Sequence, residues 1–263
     1  MHPVLFDIGP LTLHSYGAGV GAACLFGMWL CDRLTRDDPR FAKDFYYLLG
    51  LFTVPGAVIG SRLEYVRQHW AETFAHDPAA IFDVAGGGVV LHGGMIGGVL
   101  GALIAVLIKR APLWATLDGV AVAFGWGIAI ARLGCFGAGC CYGDPTEMPW
   151  GVLFDHPDSV APGDTPRHPT QLYAVGFGLL LGPFLTWLYT KRRFEGQITV
   201  AAAGLYPLFR IVNEVFRGDG ERGWLIEGLL TPAQGFSLAL ATAALIVGVV
   251  LARRAKGSNP SPG

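Results

Sequence analysis

The sequence predicts an all-α, polytopic membrane protein with about seven transmembrane helices. The first observation is composition: 52% of the 263 residues are hydrophobic and only 15% are charged, whereas soluble domains carry about 25% charged residues. The second is length, because a helix that spans a bilayer needs roughly 20 mostly apolar residues. Seven stretches meet this requirement, at residues 15–31, 44–66, 88–108, 114–132, 169–190, 197–214 and 232–252.

The distribution of basic residues predicts the orientation. Lysine and arginine accumulate in the cytoplasmic loops of membrane proteins, and most of them here follow the first, third, fifth and seventh predicted helices. These residues are Arg33, Arg36, Arg40, Lys43, Lys109, Arg110, Lys191, Arg192, Arg193, Arg253, Arg254 and Lys256. The pattern predicts an N-terminus outside and a C-terminus in the cytoplasm.

No repeat and no linker divides the chain, so we expect one transmembrane domain over residues 1–256. Residues 257–263 are rich in Gly, Ser and Pro and are expected to form a disordered tail. The first ten residues lack a basic region and a cleavage site, so no removable signal peptide is expected. The net charge of −1 offers no basic field, so nucleic acid is not an expected partner.

The stretch Leu91–Gly98 carries a histidine and two glycine pairs at the start of an apolar run. His92 is followed by Gly93-Gly94 and Gly97-Gly98. Glycine lets helices pack closely in lipid, and an ionisable side chain at a membrane helix is a functional candidate. Two interpretations stay open: a functional site, or a packing face with an interfacial histidine.

Three arginines lie near the predicted outer ends of helices, namely Arg62, Arg132 and Arg210. The planar guanidinium group matches a phosphate through two parallel hydrogen bonds. The alternative is an arginine that extends to the interface and anchors the helix end. Glu214 lies four residues after Arg210, so the two share one helix face, and Arg217 follows three residues later. A structural ion pair is the alternative for Glu214.

Other polar residues are expected at the same outer boundary. Pro169 fits the first turn of the fifth helix, after which Gln171 and Tyr173 bring hydrogen-bonding groups into the end of the bundle. A satisfied interfacial network is the alternative for these two residues, and for Tyr173 in particular. Tyr16 opens the first helix, where an aromatic residue of the membrane interface is the alternative. The joint placement at one depth predicts an outward-facing site.

Cys135, Cys140 and Cys141 also lie at this boundary, where disulfides can persist. Their Cys-x4-Cys-Cys spacing lacks the paired C-x2-C pattern that predicts zinc. A bridge from Cys135 to Cys140 or Cys141, or buried free thiols, is therefore favoured over a metal site. No metal and no cofactor are expected.

Six ordered motifs resemble a known family, the prolipoprotein diacylglyceryl transferases of the bacterial cytoplasmic membrane. The similarity extends from about residue 8 to residue 237. The motifs are Tyr16-Gly17, Gly60-Ser61-Arg62-Leu63-Glu64-Tyr65, His92-Gly93-Gly94-Met95-Ile96-Gly97, Arg132-Leu133-Gly134, His168-Pro169-Thr170-Gln171-Leu172-Tyr173, and Phe209-Arg210 with Glu214 and Arg217.

The resemblance implies a reaction and a location. Members of this family transfer the diacylglyceryl group of phosphatidylglycerol to the lipobox cysteine thiol of a prolipoprotein and release glycerol 1-phosphate. The expected partners are therefore phosphatidylglycerol, prolipoprotein signal peptides and the lipid bilayer. The expected location is the bacterial cytoplasmic (inner) membrane, as a multi-pass protein with its active site towards the outer face.

The resemblance also implies a role for particular residues. Arg132 and Arg210 match essential arginines that would clamp the phosphate and neutralise charge on the leaving group. His92 would act as the base that generates the acceptor thiolate, or as a hydrogen-bond donor. Glu214 would orient Arg210, and Tyr16 would face the headgroup. The expected substrate-binding residues are Tyr16, Arg62, Gly93, Gly94, Gly97, Gly98, Gly134, Cys135, Gln171, Tyr173 and Arg217.

The segment after Arg132 departs from the family pattern. Cys135, Ala138 and Cys140 replace two asparagines and a glutamate, and Ala174 replaces a further acid. The alternative is a divergent member that uses another acceptor or another phospholipid. A non-catalytic lipid-binding or transport protein is less favoured, because transporters often contain repeats that this chain lacks.

Overall fold

The structure is a computed structural model that describes residues 1–9, 11–82, 88, 90–161, 163–217, 225–226 and 230–257. Within these ranges the chain is mostly helical. The long helices are α1 (Ser15–Thr35), α2 (Phe45–Gln68), α3 (Leu91–Lys109), α4 (Leu113–Ala138), α5 (Thr170–Thr190), α6 (Gln197–Glu214) and α7 (Pro232–Gly257). Gly257 ends α7, and the rest of the predicted disordered tail lies outside the described residues.

Each long helix overlaps one of the predicted apolar stretches. The largest difference is in α4, which continues past the predicted end at residue 132 to Ala138. Among the described residues, four helices are long and apolar enough to cross a membrane: α3 from His92 onward, α4, α5 and α7. Large apolar side chains on them face outward, such as Leu107 and Leu180, which expose 73% and 74% of their surface. The prediction of a mostly helical membrane-type protein is confirmed at this level.

The all-α prediction missed a short β-hairpin at the N-terminus. Strands β1 (Val4–Ile8) and β2 (Leu11–His14) pair antiparallel, with Asp7 opposite Thr12 and Ile8 opposite Leu11. Both strands are rich in apolar and β-favouring residues and flank a Gly-Pro pair, which is a hairpin signal. The prediction considered this segment only as a candidate signal peptide.

The chain forms two compact units, one of residues 1–31 with 114–263 and the other of residues 32–113. In the first unit, α4 packs closely against α5. A Cβ atom at Gly125 would lie 3.0 Å from the Cα of Gly182, and one at Gly178 would lie 2.6 Å from the backbone nitrogen of Ala129. Small residues therefore bring these two helices into backbone contact.

The N-terminus of α6 is capped by a side chain from α4. Asp118 is completely buried. Its Oδ2 accepts from the backbone N–H of Gly196 at 2.8 Å, and its Oδ1 accepts from those of Ile198 and Thr199 at 3.1 and 2.9 Å. The Thr199 hydroxyl donates to the same Oδ1 at 2.9 Å. The residue before α6, Gly196, has no side chain for this task, so Asp118 satisfies the helix end that would otherwise be unpaired.

In the second unit, α2 and α3 pack through glycines. A Cβ atom at Gly97 would lie 2.9 Å from the Cα of Gly60 and 3.0 Å from the carbonyl carbon of Gly56. Gly93 likewise lies against the backbone of Gly60. At Gly98, one residue along α3, the nearest atom would be the Cβ of Ala57 at an ordinary 3.5 Å. The geometry therefore supports the packing interpretation for Gly93 and Gly97.

This difference predicts unequal effects of two neighbouring substitutions. Gly97→Ala should destabilise the protein by about 1–3 kcal/mol, because the new methyl group must push α2 away from α3. Gly98→Ala should have little effect or stabilise slightly, because the methyl group has room and alanine favours the helix. Thermal unfolding of both variants in the same detergent measures the difference. Equal destabilisation by the two substitutions would contradict this account of the interface.

Candidate active site

The C-terminus of α4 ends in a Schellman turn that brings two cysteines together. Gly139 has a φ of +68°, and its N–H donates to the carbonyl of Phe136 at 3.2 Å. The N–H of Cys140 donates to the carbonyl of Cys135 at 3.1 Å. In this motif the side chains at the two ends of the turn usually make an apolar contact. Here both ends carry thiols.

The next residue, Cys141, is held in an unusual backbone conformation. Its φ is +63°, a region that residues with a side chain seldom occupy. Its carbonyl accepts a hydrogen bond from the Thr170 hydroxyl at 2.6 Å, and the carbonyl of Cys140 accepts one from Nε2 of Gln171 at 2.8 Å. Gln171 is completely buried. The start of α5 therefore fixes the turn, and Gln171 contacts the turn's backbone.

The three cysteines form a compact sulfur cluster. The Sγ atoms of Cys135, Cys140 and Cys141 all lie within 4.8 Å of one another, and all three are free thiols. Of the alternatives that the sequence left open, the structure has free thiols, of which Cys135 is buried and Cys140 and Cys141 are partly exposed. Hydrogen bonds from the Cys135 and Cys140 thiols, together with the charges of Arg217 and Arg132, hold the pKa of Cys141 well below its usual range. The same hydrogen bonding to Cys135 and Cys141 raises the pKa of Cys140.

Arg132 lies one turn before this cluster on α4 and is half-buried. Among the described residues, no carboxylate forms an ion pair with it. Burying an unpaired cation is costly, so the side chain has positive charge available for an anion. Its charge acts on the thiols of Cys141 and Cys135.

Tyr16 lies near Arg132 and the cysteine cluster, because α1 approaches α4 closely at this point. A Cβ atom at Gly134 would lie 2.7 Å from the carbonyl oxygen of Ser15 and 2.9 Å from the Cα of Gly19. Gly134 therefore permits the contact between the helices. The Tyr16 side chain is 53% exposed, and its phenol interacts electrostatically with the cysteine cluster and with Arg132.

Arg210 and Glu214 form an ion pair along α6, between Nη1 of the arginine and Oε2 of the glutamate. The prediction that they share a helix face is confirmed. Glu214 is only 6% exposed, which places its carboxylate inside the protein. Arg217 follows the helix and pairs with Gly143 in an isolated β-bridge. This bridge holds Arg217 beside the segment that follows the cysteine cluster.

Tyr173 belongs to a polar network at the start of α5. Its hydroxyl accepts a hydrogen bond from Nε1 of Trp150 at 2.8 Å and lies 2.9 Å from Nδ1 of His168. The sequence interpretation of a satisfied network fits this geometry. Trp150 was not among the predicted residues, because it lies in the long connection between α4 and α5 and belongs to none of the motifs.

In the second unit, His92 lies exposed in the first turn of α3 and interacts electrostatically with Glu64. Glu64 is held by Arg67 through two hydrogen bonds, of 2.8 Å from Nε and 2.6 Å from Nη2. Glu64 and Arg67 lie beside an apolar groove of about 700 Å³ between α2 and α3, which Ile59 and Leu100 help to line. The groove is an open apolar surface with charged groups at one edge.

Arg62 is a buried residue of this unit, and its guanidinium group faces the backbone. Its Nε donates to the carbonyl of Ile81 at 3.0 Å, its Nη2 to that of Ala80 at 2.6 Å and its Nη1 to that of Gly88 at 3.2 Å. These contacts organise the loop between α2 and α3. They support a structural role, while the predicted substrate contact of Arg62 remains a prediction.

Apolar helices that carry arginines and a buried acid near their ends define a helical membrane protein with buried charged groups. The family model of prolipoprotein diacylglyceryl transferase matches residues 3–250, and the chain belongs to this family.

Individual relatives agree with the family match. The chain is 34% identical over 256 residues to a phosphatidylglycerol–prolipoprotein diacylglyceryl transferase of Pasteurella multocida, covering 95% of this chain and 90% of the relative. It is 32% identical over 223 residues to the enzyme of that name from Clostridium tetani, covering 83% and 86%. A relative from Clostridium perfringens, named phosphatidylglycerol–prolipoprotein diacylglyceryl transferase 2, is 33% identical over 259 residues, covering 95% and 94%.

Proposed function

We propose that this protein transfers the diacylglyceryl group of phosphatidylglycerol to the lipobox cysteine thiol of prolipoproteins and releases glycerol 1-phosphate. Its membership of the family and the names of its relatives support this reaction. The relatives are named for this donor and this acceptor, which does not favour the alternative of another acceptor. The observation on the chain itself that carries the proposal is Arg132, a half-buried cation with no acidic partner among the described residues.

The charge balance of the reaction explains why arginines are needed. The thiolate attacks the glyceryl carbon that carries the phosphate, so a C–S bond forms and the C–O bond breaks. The electrons of that bond pass to the phosphate oxygen, which changes a phosphodiester with one negative charge into a monoester with two. Cations fixed in a partly dry site stabilise this developing charge. We assign this task to Arg132 and Arg210.

Glu214 is proposed to orient Arg210, as their ion pair on α6 suggests. An arginine already bound to a buried carboxylate has one fixed edge, and its remaining N–H groups can face a phosphate. Tyr16, close to Arg132 and half-exposed, is proposed to contact the headgroup. Arg217, whose charge acts on Cys141 of the cysteine cluster, would add positive charge to the proposed phosphate site.

His92 is proposed to accept the proton of the acceptor thiol. Its position in the first turn of an apolar helix leaves the imidazole exposed, and the ring nitrogen of a neutral imidazole can accept a proton. Gly93 and Gly97 are proposed to allow α2 and α3 to approach, so that their contribution to substrate binding is indirect. Gly94 and Gly98 do not carry the tight contact and are proposed to contribute to substrate binding.

We further propose seven transmembrane helices in one domain of residues 1–256, with the N-terminus outside the bacterial inner membrane and the active site towards the outer face. The asymmetry of the basic residues supports this orientation. Within the first unit, Asp118 lies near one end of α4 and Arg132 near the other. The separation of 14 residues corresponds to about 21 Å of helix, so the capping site and the proposed phosphate site lie far apart along the helix.

The test is an assay of the purified protein with phosphatidylglycerol and a lipobox peptide, in which peptide mass and glycerol 1-phosphate are followed together. A gain of one diacylglyceryl group with equimolar release is expected, and a peptide with serine in place of the cysteine should remain unmodified. His92→Ala should lower the rate by about 10²–10⁴-fold if the imidazole takes the proton. A folded preparation that modifies neither peptide would overturn the proposed function.

A further inference from the structure

We propose that Cys135, Cys140 and Cys141 bind a thiophilic divalent metal ion, with Zn²⁺ as the ion of choice, and that its open coordination position takes the acceptor thiol. The second half of this inference rests on the proposed function, because it needs a thiol substrate. The first half rests on the geometry of the sulfur cluster alone.

The distances fit a trithiolate site. Zinc binds thiolate sulfur at about 2.3 Å in a tetrahedral arrangement, which separates the sulfurs by about 3.8 Å. The three Sγ atoms already lie within 4.8 Å of one another, so small side-chain rotations suffice. A disulfide needs a sulfur–sulfur distance of about 2.05 Å and would use only two of the three cysteines. Three mutually adjacent thiols are explained more completely by one shared ion.

The backbone around the cluster is fixed from several directions. The Schellman turn sets the distance between Cys135 and Cys140, and the carbonyls of Cys140 and Cys141 are bound by Gln171 and Thr170. The positive φ of Cys141 is maintained by these contacts. A sparsely populated backbone conformation that is held by its surroundings is common at functional sites. Such a turn presents preformed ligands, which favours metal binding.

This geometry also removes the argument against metal that the sequence provided. The spacing Cys-x4-Cys-Cys lacks the paired cysteines of a zinc motif because it is measured along the chain. The turn after α4 folds the chain back, so that Cys140 returns to the level of Cys135. The expectation of no metal was based on the spacing of the cysteines along the chain. The turn brings their sulfur atoms together in space, so that this spacing does not argue against a metal site.

Charge complementarity supports the same inference. A divalent ion with three thiolates carries a net charge of −1, and an added acceptor thiolate makes it −2. Arg132 and Arg217 both act on the sulfur of Cys141 and supply two positive charges. The cluster therefore lies where an anionic metal–thiolate group is stabilised.

The chemistry follows from an open fourth position. Catalytic zinc sites keep a position for water or substrate, and a thiol that binds zinc loses its proton. The acceptor thiol would replace water, lose its proton to the base proposed for the reaction and bind as a thiolate. Its sulfur then forms the C–S bond while the C–O bond to phosphate breaks. The neutral thioether is a weaker ligand and dissociates, and no oxidation state changes.

The experiment measures metal binding in the full-length protein in detergent, under reducing conditions. Elemental analysis should find about one zinc per chain, and exchange with Co²⁺ should produce the absorption of cobalt–thiolate bonds. Cys140→Ser and the triple variant Cys135→Ser, Cys140→Ser, Cys141→Ser should lose this absorption while keeping their helical circular dichroism. Cys24→Ser, an exposed thiol on α1 outside the cluster, is the matched control and should retain it.

Three further outcomes separate this inference from the proposed function. A lipobox peptide should shift the cobalt spectrum and its serine analogue should not, and a spectrum indifferent to both would overturn the open-position role. Diacylglyceryl transfer by protein that holds no zinc would overturn the open-position role and leave the proposed function intact. Zinc bound equally by the parent and the triple variant would indicate an adventitious ion only and would also overturn the metal site.

Discussion

Replacing Arg132 with alanine is expected to lower the rate of diacylglyceryl transfer by about two to three orders of magnitude. Arg132 is half-buried on α4, and no described carboxylate is available to share its charge. The leaving phosphate gains a second negative charge only in the transition state, so the lost interaction belongs mainly to that state. Removal of one preorganised donor at a developing anion typically costs 10²–10³-fold in kcat. Steady-state kinetics should therefore show a fall in kcat that exceeds any rise in KM.

The controls for this prediction separate charge from geometry and from folding. Arg132→Lys keeps the charge but loses the planar pair of donors, so it should recover only part of the rate. Arg253→Ala removes an exposed arginine near the end of α7 and should leave the rate unchanged. Arg210→Ala should resemble Arg132→Ala, because it removes the second proposed arginine and also breaks the ion pair with the buried Glu214. Near-parental initial rates in Arg132→Ala would refute the phosphate clamp.

Replacing Asp118 with alanine is expected to destabilise the protein by about 3 kcal/mol or more. The carboxylate is completely buried and accepts hydrogen bonds from Gly196, Ile198 and Thr199. Each buried N–H that loses its acceptor costs about 1–3 kcal/mol, and a lost helix cap costs about 0.5–2 kcal/mol. For a chain of this size, 1 kcal/mol corresponds to about 2–4 °C in Tm. Thermal unfolding in detergent should therefore show a decrease on the order of 10 °C.

A graded pair of variants tests the capping account. Asp118→Asn keeps one acceptor oxygen but presents an amide nitrogen to one of the N–H groups, so its loss should be smaller than that of the alanine variant. Asp37→Asn removes an exposed carboxylate and should change stability by no more than about 0.5 kcal/mol. If Asp118→Ala unfolds at the parental temperature, then Asp118 does not stabilise the start of α6.

The packing of α2 against α3 illustrates how a sequence motif can leave two explanations open. The segment from His92 to Gly98 predicts either a functional site or a glycine face, and nothing in the letters separates Gly97 from Gly98. The helix orientation does separate them, because the α2 backbone approaches Gly97 and leaves room at Gly98. Successive residues of a helix point about 100° apart, so Gly97 faces the α2 backbone and Gly98 points away from the closest contact.

The sequence by itself determined the helices and the family. Apolar length and the placement of charges are local properties, so the stretches around α1 to α7 could be located within a few residues. The motifs around Arg132 and Arg210 are also local, and they indicated the family before any contact was known. The hairpin at the N-terminus was missed although a Gly-Pro pair between its strands favours a turn. Each strand is only four or five residues long, and short apolar runs are hard to assign to strand or helix.

Only the tertiary structure decided which distant groups meet. The sulfur cluster depends on the turn at Gly139, and the cap on α6 joins Asp118 to Gly196, which is 78 residues away along the chain. Such contacts depend on how the helices pack and turn, and the same local sequence can satisfy its polar groups with different partners in another arrangement. The physical reason is that hydropathy acts on each segment separately, whereas hydrogen bonds and metal coordination require specific atoms to lie within about 3 Å of one another.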